Sequence, residues 1–233
     1  HPAADRMSDA GPKTRSPWAW IPTLYLAEGL PYVVVMTVSV IMYKGLGLSN
    51  TDIALYTSWL YLPWVIKPLW SPVVDLLGTR RLWIWATQLV VAAALAGVAL
   101  ALPGPHFVRW TLVFLWLLAF DSATHDIAAD GFYMLATTEK EQAFFVGVRS
   151  LFYRLAMITG EGLLVMLAGG IIARTGDPRL AWTVAMGGVA AAFVLFGLWH
   201  RFVLPRPASD RPGDVRDVPR FVREFLGTFG SFF

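Results

Sequence analysis

An all-α membrane protein with six transmembrane helices is the fold class this sequence predicts, on three observations. Only 15% of its 233 residues are charged and 56% are hydrophobic, where a soluble domain carries about 25% charged residues. Mean hydropathy is +0.55, that of a chain dissolved mostly in lipid. The apolar residues gather in six runs, each near or above the roughly 20 residues a helix needs to cross about 30 Å of hydrocarbon. The runs are too long, and too free of period-two alternation, to be strands of a membrane barrel. There is no cysteine, which removes disulfides and thiolate metal sites.

In chain order, a 1–17 tail precedes the first span, 18–43, which holds Glu28 and is too long for a cleaved signal peptide. After the break KGLGLSNTD comes the second span, 53–74. It carries Pro63, Pro68 and Pro72, which remove backbone donors and kink it. Lys67 sits beside one kink, about mid-helix and too deep to snorkel comfortably. Broken helices near the midplane are a recurring place for binding sites, so Lys67 is expected to meet an anionic substrate or a buried carboxylate such as Glu28. The loop DLLGTRR leads to the third span, 82–102, and PGPH to the fourth, 107–130. The fifth, 143–173, contains TGEGLLVMLAGG, whose small residues from Gly162 to Gly169 predict close helix packing. The sixth runs over 180–204. Trp18, Trp20, Trp83, Trp110, Trp182 and Trp199 fall near span ends and read as interfacial anchors.

A Pro/Arg/Asp linker, 205–220, follows, and 221–233 begins a new apolar-aromatic segment. The expectation is one half of a larger transporter whose other lobe is missing from this chain. Orientation follows the basic residues. With a cytoplasmic N-terminus, the inner segments hold Arg6, Lys13, Arg15, Arg80, Arg81, Lys140 and the six arginines from Arg201 to Arg223. The outer loops hold only Lys44, Arg109, Arg174 and Arg179, so both ends are expected in the cytoplasm. A net charge of +3, placed this unevenly, gives no reason to expect a nucleic-acid partner.

The informative residues are charges inside the spans: Glu28, Lys67, Asp121, Asp126, Asp130, Arg149, Arg154 and Glu161, with His125 beside them. Each charge at mid-bilayer costs about 2.5–3.5 kcal/mol on insertion scales. They must therefore pair, face a bundle interior or line a wet cavity. At about 100° per residue, Asp126 and Asp130 share one face of the fourth span. Asp121 and His125 share another, rotated by about 140°. On the fifth span Arg154 and Glu161 lie on nearly one stripe, with Arg149 well round from Arg154. Separate stripes argue against a compact metal or catalytic centre. No metal or cofactor is assigned, and no nucleophile with a positioned base points to an enzyme. A purely structural reading has Asp126 or Asp130 pair with Arg149 or Arg154 to lock two helices. The functional reading has these groups bind substrate or carry a proton, since desolvation favours the neutral form of a carboxylate.

Asp75, Gly78, Arg80 and Arg81 in DLLGTRR resemble the cytoplasmic signature loop of the major facilitator superfamily, with Ser71 and Leu76 departing from it. KPLWSPVVD, ATQ, SATHDIAAD, YRLAM and EGLP are similar, in order, to segments of one branch, the AmpG-like muropeptide permeases and acetyl-coenzyme A transporters. The resemblance implies the N-terminal lobe of a twelve-helix carrier in a bacterial inner membrane. It would import anhydromuropeptides for cell-wall recycling with protons, by alternating access. By matched position, Lys67, Asp126, Asp130 and Arg154 would be the family's polar residues, with Asp126 or Asp130 taking the proton. Asp75, Gly78, Arg80 and Arg81 would form the cytoplasmic gate loop. Glu28, Asp121, His125, Arg149 and Glu161 would be a second, additional set. Two other readings stand beside it: a carrier of acyl-CoA, a sugar or a drug, and a non-transporting membrane scaffold half.

Overall fold

The computed structural model describes residues 15–213. The tail up to residue 14, the end of the linker and the 221–233 segment lie outside the described residues. Within them every regular element is helical. Five helices are long and apolar enough to cross a membrane: Pro17–Gly45, Arg80–Ala101, Phe107–Ala136, Glu139–Thr175 and Pro178–Val203. They are the first, third, fourth, fifth and sixth spans. The second is a series of pieces: Asn50–Thr57, Leu62–Ile66, a 3-10 turn at Lys67–Leu69, and Ser71–Leu76. Pro63, Pro68 and Pro72 each fall in the first turn of a new piece. There the missing N–H would have had no helical partner anyway. The prolines thus do more than kink the span; they divide it and leave Lys67 at a break.

The helix ends carry the expected chemistry. Ser49 and Thr79 accept hydrogen bonds from Asp52 N and Leu82 N. Thr138 and Glu141 cap the fifth span reciprocally. Asp177 accepts from Arg179 N and Leu180 N at the start of the sixth. Gly176, which ends the fifth span, has φ +69°, and Gly47 in the first turn-rich break has φ +89°, conformations that favour glycine.

The third span packs between the fourth and the sixth, and the first packs on the fifth and the fourth. The first and fifth approach most closely where Gly29 faces Ala156 and Gly160 faces Val33. Both spans widen into a π-helical turn there, at Val34–Val38 and Thr159–Leu164, and the two turns touch. Pro31, inside the first helix, withdraws one backbone donor just before the first π turn. The packing expected from Gly162 and Gly169 is corrected: both face open space, and Gly160 makes the contact. Gly160→Leu is therefore expected to lower stability by about 1–3 kcal/mol through overpacking against Val33. Gly169→Leu is expected to leave it within about 0.5 kcal/mol. Thermal unfolding in detergent compares the two.

The tryptophan expectation is also corrected in part. Trp18, Trp110 and Trp199 are exposed, but Trp20 and Trp182 are buried in the core, because their helix faces turn inward at the span ends. The fifth span covers least of its surface within this lobe, leaving Leu151, Ile158, Leu163 and Met166 outward.

Candidate functional site

Where the first, second, fourth and fifth spans meet, charged side chains converge. Lys67, released by the proline breaks, lies 3.7 Å from Asp126 across to the fourth span. One helical turn further on, Asp130 is paired with Arg149 of the fifth span and accepts a hydrogen bond from Tyr25 Oη at 3.2 Å. The Arg149 guanidinium lies 4.3 Å from the Tyr25 ring centroid and 4.4 Å from that of Tyr133. Two aromatic faces and a carboxylate thus hold one cation. Glu28, 9% exposed, is one turn along from Tyr25 on the first span. Its Oε2 is buried with no hydrogen-bond partner among the described residues. Lys67, Asp126, Asp130 and Arg149 are its charged neighbours.

A cavity of about 340 Å³ opens onto this cluster, lined by Tyr25, Glu28, Arg149, Ser150, Tyr153 and Arg154. Arg154 is exposed and forms no ion pair among the described residues. Arg149 and Arg154 therefore share one cavity although they lie on separate stripes of the fifth span. Radial spacing puts them far apart, but two long side chains on adjacent turns reach a common space. Glu28 and Arg149, from the additional set, interleave in space with Lys67, Asp126 and Asp130 of the matched set. Glu161 lies apart from the cluster, in the π turn of the fifth span, and accepts from Thr37 at 3.4 Å.

Asp121 and His125 sit on the other face of the fourth span, away from the cavity. His125 Nε2 is 3.0 Å from Gln88 Nε2, and Gln88 Oε1 is 2.8 Å from His200 Nδ1. His200 Nε2 is 3.0 Å from Thr23 Oγ1. This buried chain joins the fourth, third, sixth and first spans. The amide oxygen of Gln88 accepts from His200 Nδ1, and its NH2 donates to His125 Nε2, so one amide orients both rings. Gln88→Leu would leave one buried ring nitrogen on each histidine, His125 Nε2 and His200 Nδ1, without its partner, at about 1–3 kcal/mol each. The expected result is a lowered unfolding temperature with the charge cluster undisturbed. Asp121 reaches the third span beside Val91 and keeps one carboxylate oxygen without a partner among the described residues.

The loop before the third span is closed on both sides. Arg80 pairs with Asp75 at 2.5 Å and donates to Ile127 O at 3.0 Å. Its guanidinium occupies the space that a Cβ on residue 131 would need. Asp210 of the linker accepts from Arg80 N and Arg81 N at 2.7 and 3.0 Å. Gly213 N donates to Asp75 O at 2.7 Å. Arg81 binds the end of the sixth span through Leu204 O and Arg201 O. Gly78 sits beside Leu82 and Trp83.

Tyr25, Tyr133, Gly131, Gln88 and Asp210 belong to these arrangements without standing out in the sequence. Tyr25 three residues before Glu28, and Tyr133 three after Asp130, were signals in reach, since that spacing shares a helix face.

The sequence pattern of the BT1 family matches residues 27–224. The "Anhydromuropeptide permease" of Escherichia coli (strain K12) is 29% identical over 201 residues, covering 81% of this chain and 37% of that protein. The "Putative transporter AmpG 3" of Rickettsia prowazekii is 31% identical over 122 residues, 48% of this chain and 29% of that protein. An uncharacterized protein of Schizosaccharomyces pombe is 30% identical over 118 residues, 46% of this chain and 22% of that protein. The chain thus spans a little over a third of the length of the Escherichia coli permease.

Proposed function

The chain belongs to the BT1 family, a family of multi-pass membrane proteins to judge by its permease relatives and these apolar helices, and on that premise we propose that it is the N-terminal lobe of a proton-coupled importer of anhydromuropeptides. The observation that carries the reading is the pair of ion pairs, Lys67–Asp126 and Arg149–Asp130, with Glu28 beside them at an open cavity. Charges at such depth are too costly to stand without a task or a partner. Here some are paired, and one carboxylate and one arginine of the same cavity are not.

In this reading the lobe sits in a bacterial inner membrane with its N-terminus in the cytoplasm, and a second lobe covers the open side of the fifth span. The two lobes rock about the cavity. Arg154, exposed at its rim, takes a carboxylate of the peptide. Lys67 and Arg149 hold the acids in register, and Tyr25, Tyr153 and Ser150 offer hydroxyls to the sugar. Asp75 and Arg80 lock the cytoplasmic loop in one state and release it in the other. The similarity to the Escherichia coli permease supports the glycopeptide class.

The test is uptake of radiolabelled N-acetylglucosaminyl-anhydro-N-acetylmuramyl peptide by the full-length protein in cells lacking their own permease. Unlabelled glycopeptide, acyl-CoA and simple sugars serve as competitors. Uptake that collapses with the proton gradient and is competed only by glycopeptide is expected. Normal insertion without uptake over background contradicts the substrate assignment.

A further inference from the structure

We propose that Glu28 is the residue that binds the coupled proton, and that its protonation is the condition for the cavity to close. The proposal rests on the transport reading above and assigns the acid that carries the coupling.

The argument is one of charge and geometry. Asp126 has Lys67 and Asp130 has Arg149. Glu28, buried where the Asp130 side chain is half-exposed, has neither cation to itself, and its Oε2 is buried without a hydrogen-bond partner among the described residues. Three carboxylates against two cations leave one negative charge over. From its own helix only the Tyr25 hydroxyl lies near, and that already donates to Asp130. The fifth span presents Arg149, held by Asp130 and two tyrosine rings, and Tyr153. Arg154 lines the same cavity but is exposed at its mouth, where water screens it. The second span presents Lys67, and the fourth presents Asp126 and Asp130.

While the cavity is open, water solvates the unmatched carboxylate. Closing it around substrate expels that water and strands a lone charge in a medium of low dielectric. A proton on Glu28 converts the cluster to two ion pairs and a neutral acid, which can be enclosed. No covalent step is involved: one proton is taken from the more acidic side and released on the other. Asp126 and Asp130 keep their roles as partners for Lys67 and Arg149, and Asp121, on the opposite face beside Val91, has no part.

Infrared difference spectroscopy of the protein in lipid bilayers, acid minus neutral, tests the assignment without any substrate. A protonated-carboxyl band should contain a component that Glu28→Gln removes and that D121N, D126N and D130N leave in place. Persistence of the whole band in E28Q, or loss of that component in D126N or D130N instead, overturns the proposal. In uptake assays E28Q should retain exchange of labelled for unlabelled glycopeptide and lose gradient-driven accumulation. Accumulation at the wild-type level in E28Q also overturns it. If the wild-type protein accumulates no glycopeptide, the substrate reading fails, while the infrared result still decides whether Glu28 takes the proton.

Discussion

Replacing Arg149 with methionine is expected to abolish gradient-driven uptake, by tenfold or more, and to lower stability by about 1–3 kcal/mol. The stability figure is below the roughly 3–5 kcal/mol for breaking a fully buried pair, because the Asp130 side chain is 49% exposed and solvent screens it. The functional loss has a different origin. Without the guanidinium, Asp130 loses its ion-pair partner and Glu28 loses one of its two cationic neighbours, leaving Lys67, and the space between Tyr25 and Tyr133 loses its occupant. Methionine preserves much of the packing and removes the charge. Adding Asp130→Asn to the variant removes the stranded acid and should recover most of the stability but little of the transport. Thermal unfolding and uptake, measured on both variants, separate the two effects. Equal recovery of both would reduce the pair to a helix-helix lock.

Gly131→Leu is expected to uncouple the cytoplasmic loop from the fourth span. The new side chain claims the space of the Arg80 guanidinium. Arg80 is flexible enough to move, so the fold survives; its ion pair with Asp75 and its bond to Ile127 O do not. Transport should fall by about tenfold or more, equivalent to about 1.4 kcal/mol in the balance between the two gate states. A cysteine placed at Leu77, in the same loop, should react with a water-soluble maleimide several times faster than in the otherwise wild-type protein. Unchanged labelling would mean that Arg80 does not hold the loop. Asp210 and Gly213 tie the linker to the same loop.

These two residues also mark what the sequence could and could not reveal. The long apolar spans and the breaks between them were legible, because hydrophobic length and proline chemistry act locally. Pro63, Pro68 and Pro72 marked the second span as kinked with Lys67 beside a kink, though not as divided into pieces. The two faces of the fourth span followed from helical spacing, and Asp126 and Asp130 do part from Asp121 and His125. Pairing across helices was legible only as alternatives, Asp126 or Asp130 with Arg149 or Arg154; which acid takes which cation was not. Asp130 meets Arg149 and Asp126 meets Lys67 through the way the first and fifth spans approach, which depends on Gly29, Gly160 and two π turns. Spacing arithmetic treats a side chain as a short radial spoke, and so it parted Arg149 from Arg154. Gln88 and Gly131 bear no charge and attract no notice until a neighbour needs an amide or an empty space. Trp20 and Trp182 show the same limit: position near a span end gives depth, not which way the ring turns.

The central claim is that the charge cluster couples proton movement to movement of an anhydromuropeptide. Its most direct test is proton flux in proteoliposomes of the full-length protein, with a pH-sensitive dye inside and no imposed potential. Adding the glycopeptide outside should acidify the lumen in proportion to substrate uptake, and Glu28→Gln should abolish that acidification. Substrate entry at the wild-type rate with no accompanying acidification would contradict the account.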